Sequence, residues 1–335
     1  MAKSKIDPQQ SVETNTPPKT KKNHLAFQRI KLNFGKFALL IALFALAAII
    51  SILSPYFLKS ENLINILLQA SINLIIALGM TYVISTAGID LSVGSILAVA
   101  GIVFALLLVH GVSLPFAILI TILSGIIMGA INGLLITRLN LPPFIATLGT
   151  MGVFRGIALI TSNGRPVYGL PAKVLLIISG RIGTIPIPVI IALFTALLAY
   201  LVLKYTLVGE YTLGIGGNEE AIRLSGVSVK RYKTIVYAIS GLMCAIAGIV
   251  LTARLTAAEP IAGNGYELDA IAATVIGGTS LSGGVASITG TVIGALIMSV
   301  LRNGLNLLNI QSYYQQVAIG VVIIIAVAID KMRKA

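Results

Sequence analysis

Long apolar segments separated by short polar stretches run through this chain from residue 37 almost to its end. Eight of them are near the roughly 20 residues that a helix needs to cross a bilayer, and they lie at residues 37–54, 62–87, 94–110, 114–137, 185–204, 233–253, 284–301 and 314–330. Two more are weaker: 143–161 contains Arg155 and several glycines, and 267–280 is short and rich in Gly, Ser and Thr. The pattern predicts an all-α polytopic membrane protein with about ten transmembrane helices.

Composition supports a membrane protein and changes how the net charge is interpreted. Hydrophobic residues make up 57% of the chain and charged residues 10%, whereas an average globular domain is about one quarter charged. The net charge of +13 is typical of nucleic-acid binding in a soluble protein. Here the charges lie in short loops beside apolar segments, so they follow membrane topology and we expect no nucleic-acid partner.

The distribution of Lys and Arg predicts the orientation of the chain. With ten spans, 17 of these residues fall on one side and six on the other; the richer side is expected to be cytoplasmic. Both termini and the loop 209–233 are then inside. Residues 1–36 hold three prolines and no sustained apolar run, so we expect a disordered cytoplasmic tail before a transmembrane domain over 37–335.

One polar stretch stands between two apolar segments, inside the predicted cytoplasmic loop. Charges at Glu219, Glu220 and Arg223 surround the apolar Ile222, which gives a short helix one face to press into a groove. We predict a docking helix for a soluble partner; an amphipathic helix lying on the bilayer is the alternative. The candidate docking residues are Gly217, Asn218, Glu219, Glu220, Ala221, Arg223, Leu224, Ser225 and Gly226.

Asp90 is a carboxylate between two apolar segments, with Ser92 two positions later. A carboxylate costs about 2.5–3.5 kcal/mol at the centre of a membrane helix, so it belongs at a helix end or in a polar cavity. We favour a role for Asp90 and Ser92 in capping a helix N-terminus; binding of cargo is the alternative. Glu267 and Asp269 open another apolar segment and suit the same capping role.

Several neutral polar residues lie in or beside the spans. They have the chemistry to line a path for a sugar, because hydroxyl groups need amide and hydroxyl partners, or to bond neighbouring helices. These two interpretations stay open for Asn73, Asn132, Thr147, Asn303 and Asn306. A faint internal repeat is also present, in which Asp90 and Asp269 each precede a pair of glycines four residues apart, as transporters with doubled halves often show.

The motifs that this sequence lacks narrow the function. It contains no phosphate-binding loop, no zinc-protease motif and no nucleophile elbow, so it is not predicted to be an enzyme. The single Cys244 and the widely separated histidines indicate no metal site. The spans also lack the repeated ionisable residues of a proton relay.

Six sequence blocks carry a family resemblance. The chain resembles the permease subunits of bacterial ATP-binding-cassette (ABC) importers for monosaccharides, the ribose systems above all, over about residues 37–330. The blocks are GIDLSVGS at 88–95, FIATL at 144–148, GNEEAIRLSG at 217–226, GYELDAIAA at 265–273, GGTSLSGG at 277–284 and NGLNLL at 303–308.

The resemblance implies an architecture and a set of partners. We expect a multi-pass protein of the bacterial inner membrane with a type II importer-like fold, working as a homodimer with the sugar path between two copies. ATP and Mg²⁺ would be held by a separate cytoplasmic ABC ATPase docked on residues 217–226, and no cofactor by this chain. A periplasmic binding protein would deliver the monosaccharide. A secondary transporter or facilitator acting alone is the alternative function.

Overall fold

A computed structural model describes residues 20–332, with side chains described from Phe37 onward. The chain divides after Ala38, and the unit from Leu39 holds the helix bundle. The described residues form twelve helices: α1 Thr20–Leu53, α2 Ser60–Ser85, α3 Val93–Val109, α4 Leu114–Arg138, α5 Pro143–Thr161, α6 Ala172–Ser179, α7 Ile187–Tyr205, α8 Leu207–Leu224, α9 Val229–Leu255, α10 Tyr266–Ile276, α11 Ile288–Leu307 and α12 Ser312–Met332.

Most of the predicted spans are confirmed as helices of membrane-crossing length. Seven helices of the described chain are long and apolar enough to cross a bilayer, including α5, which was one of the two weaker segments; α3 and residues Phe37–Leu53 of α1 are shorter apolar helices. Proline opens α4, α5 and α7 within the first two helical positions, where its missing N–H leaves no hydrogen bond unmade.

The segment predicted to cross at 267–280 does not form a span of its own. Helix α10 has only 11 residues, about 16 Å at 1.5 Å per residue, against a hydrocarbon core of about 30 Å. It ends at Gly277, and Gly278 follows with a φ of +90°. The hydropathy pattern did not predict this end of the helix, because the turn residues after it are small rather than charged.

Helix α1 overlaps the expected tail. Described from Thr20, it includes residues 20–36, which contain no proline, whereas Pro17 and Pro18 precede them. The earlier part of the expected tail, residues 1–19, lies outside the described residues.

Helices α2 and α9 form the centre of the bundle, and most of their residues are buried. Small residues let α9 approach its neighbours: Gly125 and Gly129 of α4 lie directly against the backbone of α9 at Gly241 and Tyr237, the close approach that membrane helices use in place of hydrophobic association. Helices α5 and α12, in contrast, bury only a few residues each.

The two halves of the bundle share one pairing scheme. Helix α9 contacts α3 and α4 as α2 contacts α10 and α11; α3 also contacts α4 and α5 as α10 contacts α11 and α12. The faint repeat seen in the sequence therefore corresponds to a structural repeat, with α2–α5 matching α9–α12.

The N-terminal ends of α3 and α10 lie close together in the interior of the bundle. Helix α3 follows a turn that contains Ala87 in the left-handed region (φ +59°), and α10 follows the loop 256–265. Gly94 lies against the carbonyl of Gly263, with no space for a side chain. Arg155 of α5 fixes this loop by donating from Nη1 to the carbonyl oxygens of Pro260 (2.7 Å) and Ala262 (2.8 Å).

Two small elements between α5 and α7 were not predicted. Helix α6 packs its Val174 and Ile178 in a cluster with the outer turns of α3, and a two-residue hairpin joins β1 Arg181–Ile182 to β2 Ile185–Pro186. Apart from this hairpin and the isolated bridge between Val167 and Ala258, the regular secondary structure of the described chain is helical.

Candidate functional site

The predicted docking segment begins with a break inside α8. Asn218 has non-helical backbone angles (φ −158°, ψ 95°), and its Oδ1 accepts the backbone N–H of Ala221 at 2.9 Å. This is the geometry of a helix N-cap, and Glu219 and Glu220 follow in the first turn, where carboxylates favour the helix dipole. The short helix 219–224, here the docking helix, is therefore a separate element on the end of α8.

The docking helix has a C-terminal cap as well as an N-terminal one. The N–H groups of Ser225 and Gly226 donate to the carbonyls of Ala221 and Arg223, each at 3.1 Å. Gly226 takes a φ of +85°, the left-handed conformation that glycine adopts most easily after a helix. Caps at both ends therefore define a separate helix of fewer than two turns.

Charged groups on the docking helix face solvent. Arg223 makes a bidentate contact with Glu220, with Nη2–Oε1 at 2.6 Å and Nε–Oε2 at 2.9 Å, and this hydrogen bonding holds the pKa of the Glu220 carboxyl below its ordinary value. Glu219 contacts Lys233 at the start of α9 at 2.6 Å. Exposed pairs of this kind add little to stability, so the ordered charges are available for a partner.

The apolar side chains of the docking helix divide between inside and outside. Ile222 packs over Gly214 in the preceding turn of α8, where only glycine leaves it room. Leu224, by contrast, is 76% exposed at the end of the helix. Leu224 is therefore an apolar side chain open to solvent beside the ordered ion pair of Glu220 and Arg223.

Two of the predicted path residues meet in a cleft. The cleft has a volume of about 450 Å³ and lies among α2, α9, α10, α11 and the loop 256–265. Its polar lining includes Asn73, Arg254, Glu259, Tyr266, Arg302 and Asn306. Charged and amide groups are rare in the membrane region of a bundle, so the cleft is a candidate functional site.

Arg302 connects this cleft to a buried carboxylate. Its Nη2 and Nε both lie 2.8 Å from Oδ2 of Asp269, which is fully buried, while Oδ1 of Asp269 has no hydrogen-bond partner in the described chain. Nearby, Glu267 accepts the N–H of Gly265 at 3.2 Å, just before α10. Glu267 thus makes the end-of-helix contact, and Asp269 makes an ion pair.

Glu267 also lines a second, smaller cleft. This cleft, of about 320 Å³, lies between α5 and the loop 256–265, and it is lined by Ser95, Met151, Gly152, Arg155, Asn264 and Glu267 among others.

Asp90 stands at the centre of a buried polar network. Its Oδ1 accepts the N–H (3.0 Å) and Oγ–H (2.6 Å) of Ser92, and its Oδ2 accepts from Ser240 Oγ (2.9 Å). Asn132 donates to Ser92 Oγ at 2.7 Å and accepts from Thr150 at 2.6 Å. The network joins α3, α4, α5 and α9, and every side chain in it is buried.

The geometry around Asp90 favours a structural role. Ser92 occupies the N-cap position of α3, but its side chain makes no capping hydrogen bond there. Asp90 instead accepts the N–H of Ser92, as in an Asx-turn. Thr147 adds a contact to the carbonyl of Ile89 at 3.1 Å. Asp90 is fully buried, so it contacts no solute in this conformation.

The remaining predicted path residue, Asn303, lies outside both clefts. It is buried against Asn62 of α2, with which it shares two hydrogen bonds. Three arginines of the clefts and their loop were not predicted as functional: Arg155 was left unassigned, and Arg254 and Arg302 were counted as outer-loop charges. For Arg155, its place within an apolar segment was a signal of function; Arg254 and Arg302 lie just beyond the predicted segments, where no such signal is present.

Comparisons with known proteins agree on one kind of membrane protein. Residues 62–327 match the family described as branched-chain amino acid transport system / permease component. The chain is 47% identical over 319 residues to the ribose import permease protein RbsC of Bacillus subtilis (strain 168), covering 94% of this chain and 98% of that one.

Two further relatives extend this similarity. The ribose import permease protein RbsC of Escherichia coli (strain K12) is 47% identical over 299 residues, covering 88% of this chain and 93% of that one. The D-allose transport system permease protein AlsC of the same organism is 43% identical over 304 residues, covering 90% and 93%. No solved structure matches the chain.

Proposed function

This chain belongs to the branched-chain amino acid transport system permease family, and we propose that it is the translocation subunit of an ATP-driven importer for ribose or a closely related monosaccharide. The similarity to the ribose permeases, which extends over nearly the whole of both chains, is the observation that carries the proposal. The chain is a multi-pass permease component of a bacterial ABC importer, and in such systems the ATPase is a separate subunit.

The docking helix supports contact with that ATPase. The sequence holds no phosphate-binding loop, so energy from ATP has to enter through a protein contact. A capped helix with an exposed leucine and an ordered ion pair offers such a contact. We assign residues 217–226 to the ATPase interface, with ATP and Mg²⁺ held by the partner.

The proposed topology has cytoplasmic termini in the inner membrane and ten crossings, one of which α10 completes only together with the loops on either side of it. The Lys and Arg bias supports this orientation. From the start of α2 to the start of α9 the chain crosses five times, with α2, α3, α4, α5 and α7, so α9 runs opposite to α2. The repeats are then inverted, and α3 and α10 start in the interior from opposite sides, the arrangement in which transporters form their solute sites.

A glycine face on α5 supports the homodimer. Positions Gly149, Gly152 and Gly156 have no atom of the described chain within 4 Å of where a side chain would stand. A row of small residues on a membrane helix fits close approach by another helix, and a second copy of this chain is the partner we propose. The second cleft lies beside this face, since Gly152 lines it, which is consistent with a path between two copies.

The larger cleft is our proposed passage site for the sugar. Its guanidinium, carboxylate, phenol and amide groups match the many hydroxyls of a monosaccharide, and its volume of about 450 Å³ leaves room for one together with water. A periplasmic binding protein would deliver the sugar on that side.

Reconstitution tests the function as a whole. The purified chain in vesicles should take up no ribose and hydrolyse no ATP, and uptake should appear only with the ATPase, the binding protein and ATP together. Uptake should survive a protonophore when ATP is supplied, because the spans contain no recognisable proton relay. Ribose accumulation by the chain alone, driven by a pH gradient, would favour a secondary transporter instead.

A further inference from the structure

Three segments of the chain meet backbone to backbone beside the docking helix. The N–H of Gly284 donates to the carbonyl of Ser85, at the end of α2, at 3.0 Å. Gly216, two residues before the Asn218 cap, lies against both of these groups so closely that a Cβ has no space. We refer to Ser85, Gly216, Gly283 and Gly284 as the glycine junction.

Gly283 closes the junction from the other side. A Cβ there would stand 2.7 Å from the carbonyl oxygen and 2.8 Å from the Cα of Gly216, and 3.0 Å from the amide nitrogen of Ala87. The residue also takes a φ of +80°, which disfavours any side chain independently of space. Gly217, the next residue after Gly216, has nothing within 4 Å of its Cβ position.

The junction connects the docking helix to elements that reach the larger cleft. Helix α2 carries Asn73, and the loop 277–287 leads into α11, which carries Arg302. Farther in, the hydroxyl oxygens of Thr81 of α2 and Thr291 of α11 are 2.8 Å apart, and Thr274 of α10 donates to the carbonyl of Ala77 at 3.2 Å. Hydrogen bonds therefore join α2 to both α10 and α11, farther into the bundle than the junction.

Contacts between backbones pass displacement on more directly than contacts between side chains. A side chain can change rotamer to absorb a small movement, whereas close-packed backbone has little compressibility. Coupling between distant sites is carried by such contiguous packed elements. Glu219 of the docking helix also contacts Lys233 of α9. This ion pair is partly exposed, and its long side chains can change conformation to absorb a small movement.

We propose that the glycine junction transmits movement of the docking helix to α2 and α11, and that Gly216 and Gly283 are positioning residues for the coupling of ATP hydrolysis to sugar uptake. This inference rests on the proposed function. The ordinary alternative is that these glycines only pack the loops, as Gly125 and Gly129 pack two spanning helices.

The alanine variants Gly216→Ala and Gly320→Ala form a matched test pair. Both place alanine at a helical position, Gly320 in α12, but only the first forces the junction apart, because the Cβ position of Gly320 has nothing within 4 Å. The complete importer is reconstituted with the ATPase, the binding protein and ribose. Four quantities are measured: ATPase co-purification, basal hydrolysis, stimulation by the ribose-loaded binding protein, and uptake.

We expect Gly216→Ala to retain the ATPase and basal hydrolysis but to lose stimulation and uptake by about tenfold, within the usual range of coupling energies. Gly320→Ala should match the unmodified chain. Equal coupling in both variants would overturn the proposal, and so would release of the ATPase by Gly216→Ala alone, because the junction would then only build the docking surface. Failure of the unmodified chain to bind an ATPase or to import sugar would instead refute the proposed function.

Hydrogen exchange of the unmodified importer tests the proposal even if Gly216→Ala is not recovered folded. The nucleotide-free complex is compared with the vanadate-trapped complex. We expect peptides covering 80–87 and 279–287 to change protection together with those covering 212–224. A change confined to the docking helix, with both junction segments unaltered, would overturn the proposal.

Discussion

Asn62 and Asn303 bind each other through both ends of their side-chain amides, although 241 positions separate them. Nδ2 of Asn62 donates to Oδ1 of Asn303 at 3.0 Å, and Nδ2 of Asn303 donates back to Oδ1 of Asn62 at 2.8 Å. Asn62 also donates to the carbonyl of Phe57 at 2.9 Å. The pair fastens the first turn of α2 to α11, so Asn303 serves helix association in this conformation.

Removing either partner should weaken the fold through the same interaction. In detergent unfolding, Asn62→Ala and Asn303→Ala should each destabilise the protein, because each leaves a buried amide without its partner. The double variant should lose less than the sum of the two, by about 0.6–1.7 kcal/mol, as measured for hydrogen bonds between membrane helices. Strict additivity, or a loss of ribose uptake at unchanged stability, would contradict this role.

The sequence predicts elements much better than it predicts partners. Apolar length and flanking charge located the helices, and charged residues between two apolar segments located the polar stretch that contains Asn218. Pairing of Asn303 with Asn62 could not be read from the chain, because a hydrogen bond between helices depends on which faces meet and leaves no local pattern. The cargo and capping interpretations of Asp90 likewise depend on its burial, which no local sequence pattern reveals.

Short elements were the main source of error. Helix α10 was overestimated because its apolar residues run on into the small residues of the turn after Ile276, and hydropathy treats the two alike. The arginines of the larger cleft were assigned to loops because charge normally marks the end of a span. Arg302 is an exception, because its guanidinium pairs with the buried carboxylate of Asp269.

A charge swap on the docking helix separates its outside contact from its inside one. In the double variant Glu220→Lys, Arg223→Glu the two residues can still pair at the same spacing, so local stability should change little, while the charges offered to a partner are inverted. We expect membrane insertion at the normal level with loss of ATPase co-purification and of uptake. The control is Arg165→Glu, which changes an exposed charge outside the docking region. Co-purification of the ATPase with the swapped variant at the normal yield would contradict the assignment.

Reporter fusions test the topology. A reporter after Ala335 should be active in the cytoplasm, and one inserted near Lys173, at the start of α6, should be periplasmic. The reason is the excess of Lys and Arg on the proposed inner side. A periplasmic C-terminus would mean that α10 and the loops around it do not complete a crossing.

Asp90 should tolerate an amide but not an apolar side chain. In Asp90→Asn, the remaining oxygen can accept from Ser92, and the hydroxyl of Ser240 can turn to accept from the new NH₂ group, so appreciable transport should remain. Asp90→Leu should lower the amount of folded protein, because losing a helix-start acceptor typically costs about 1 kcal/mol. Loss of uptake in Asp90→Asn, at normal expression and normal ATPase coupling, would favour direct sugar binding.

The ion pair between Arg302 and Asp269 allows a test of the larger cleft that is independent of folding. Arg302→Met alone leaves the Asp269 carboxylate buried and unpaired, which should cost about 3–5 kcal/mol of stability. The double variant Arg302→Met, Asp269→Leu removes both charges, and replacing a buried pair by apolar residues is often neutral or stabilising. Thermal unfolding in detergent should therefore show recovery in the double variant.

Uptake by that double variant then distinguishes the two roles of Arg302. If the guanidinium binds sugar hydroxyls in the cleft, ribose uptake should stay about tenfold or more below normal despite the restored fold, because a hydrogen bond from a charged group is worth about 1.5–3 kcal/mol. Basal hydrolysis by the bound ATPase should be unchanged, since the docking helix is intact. Uptake that returns together with stability would show that the pair only supports α10 and α11, and the passage site would then lie elsewhere.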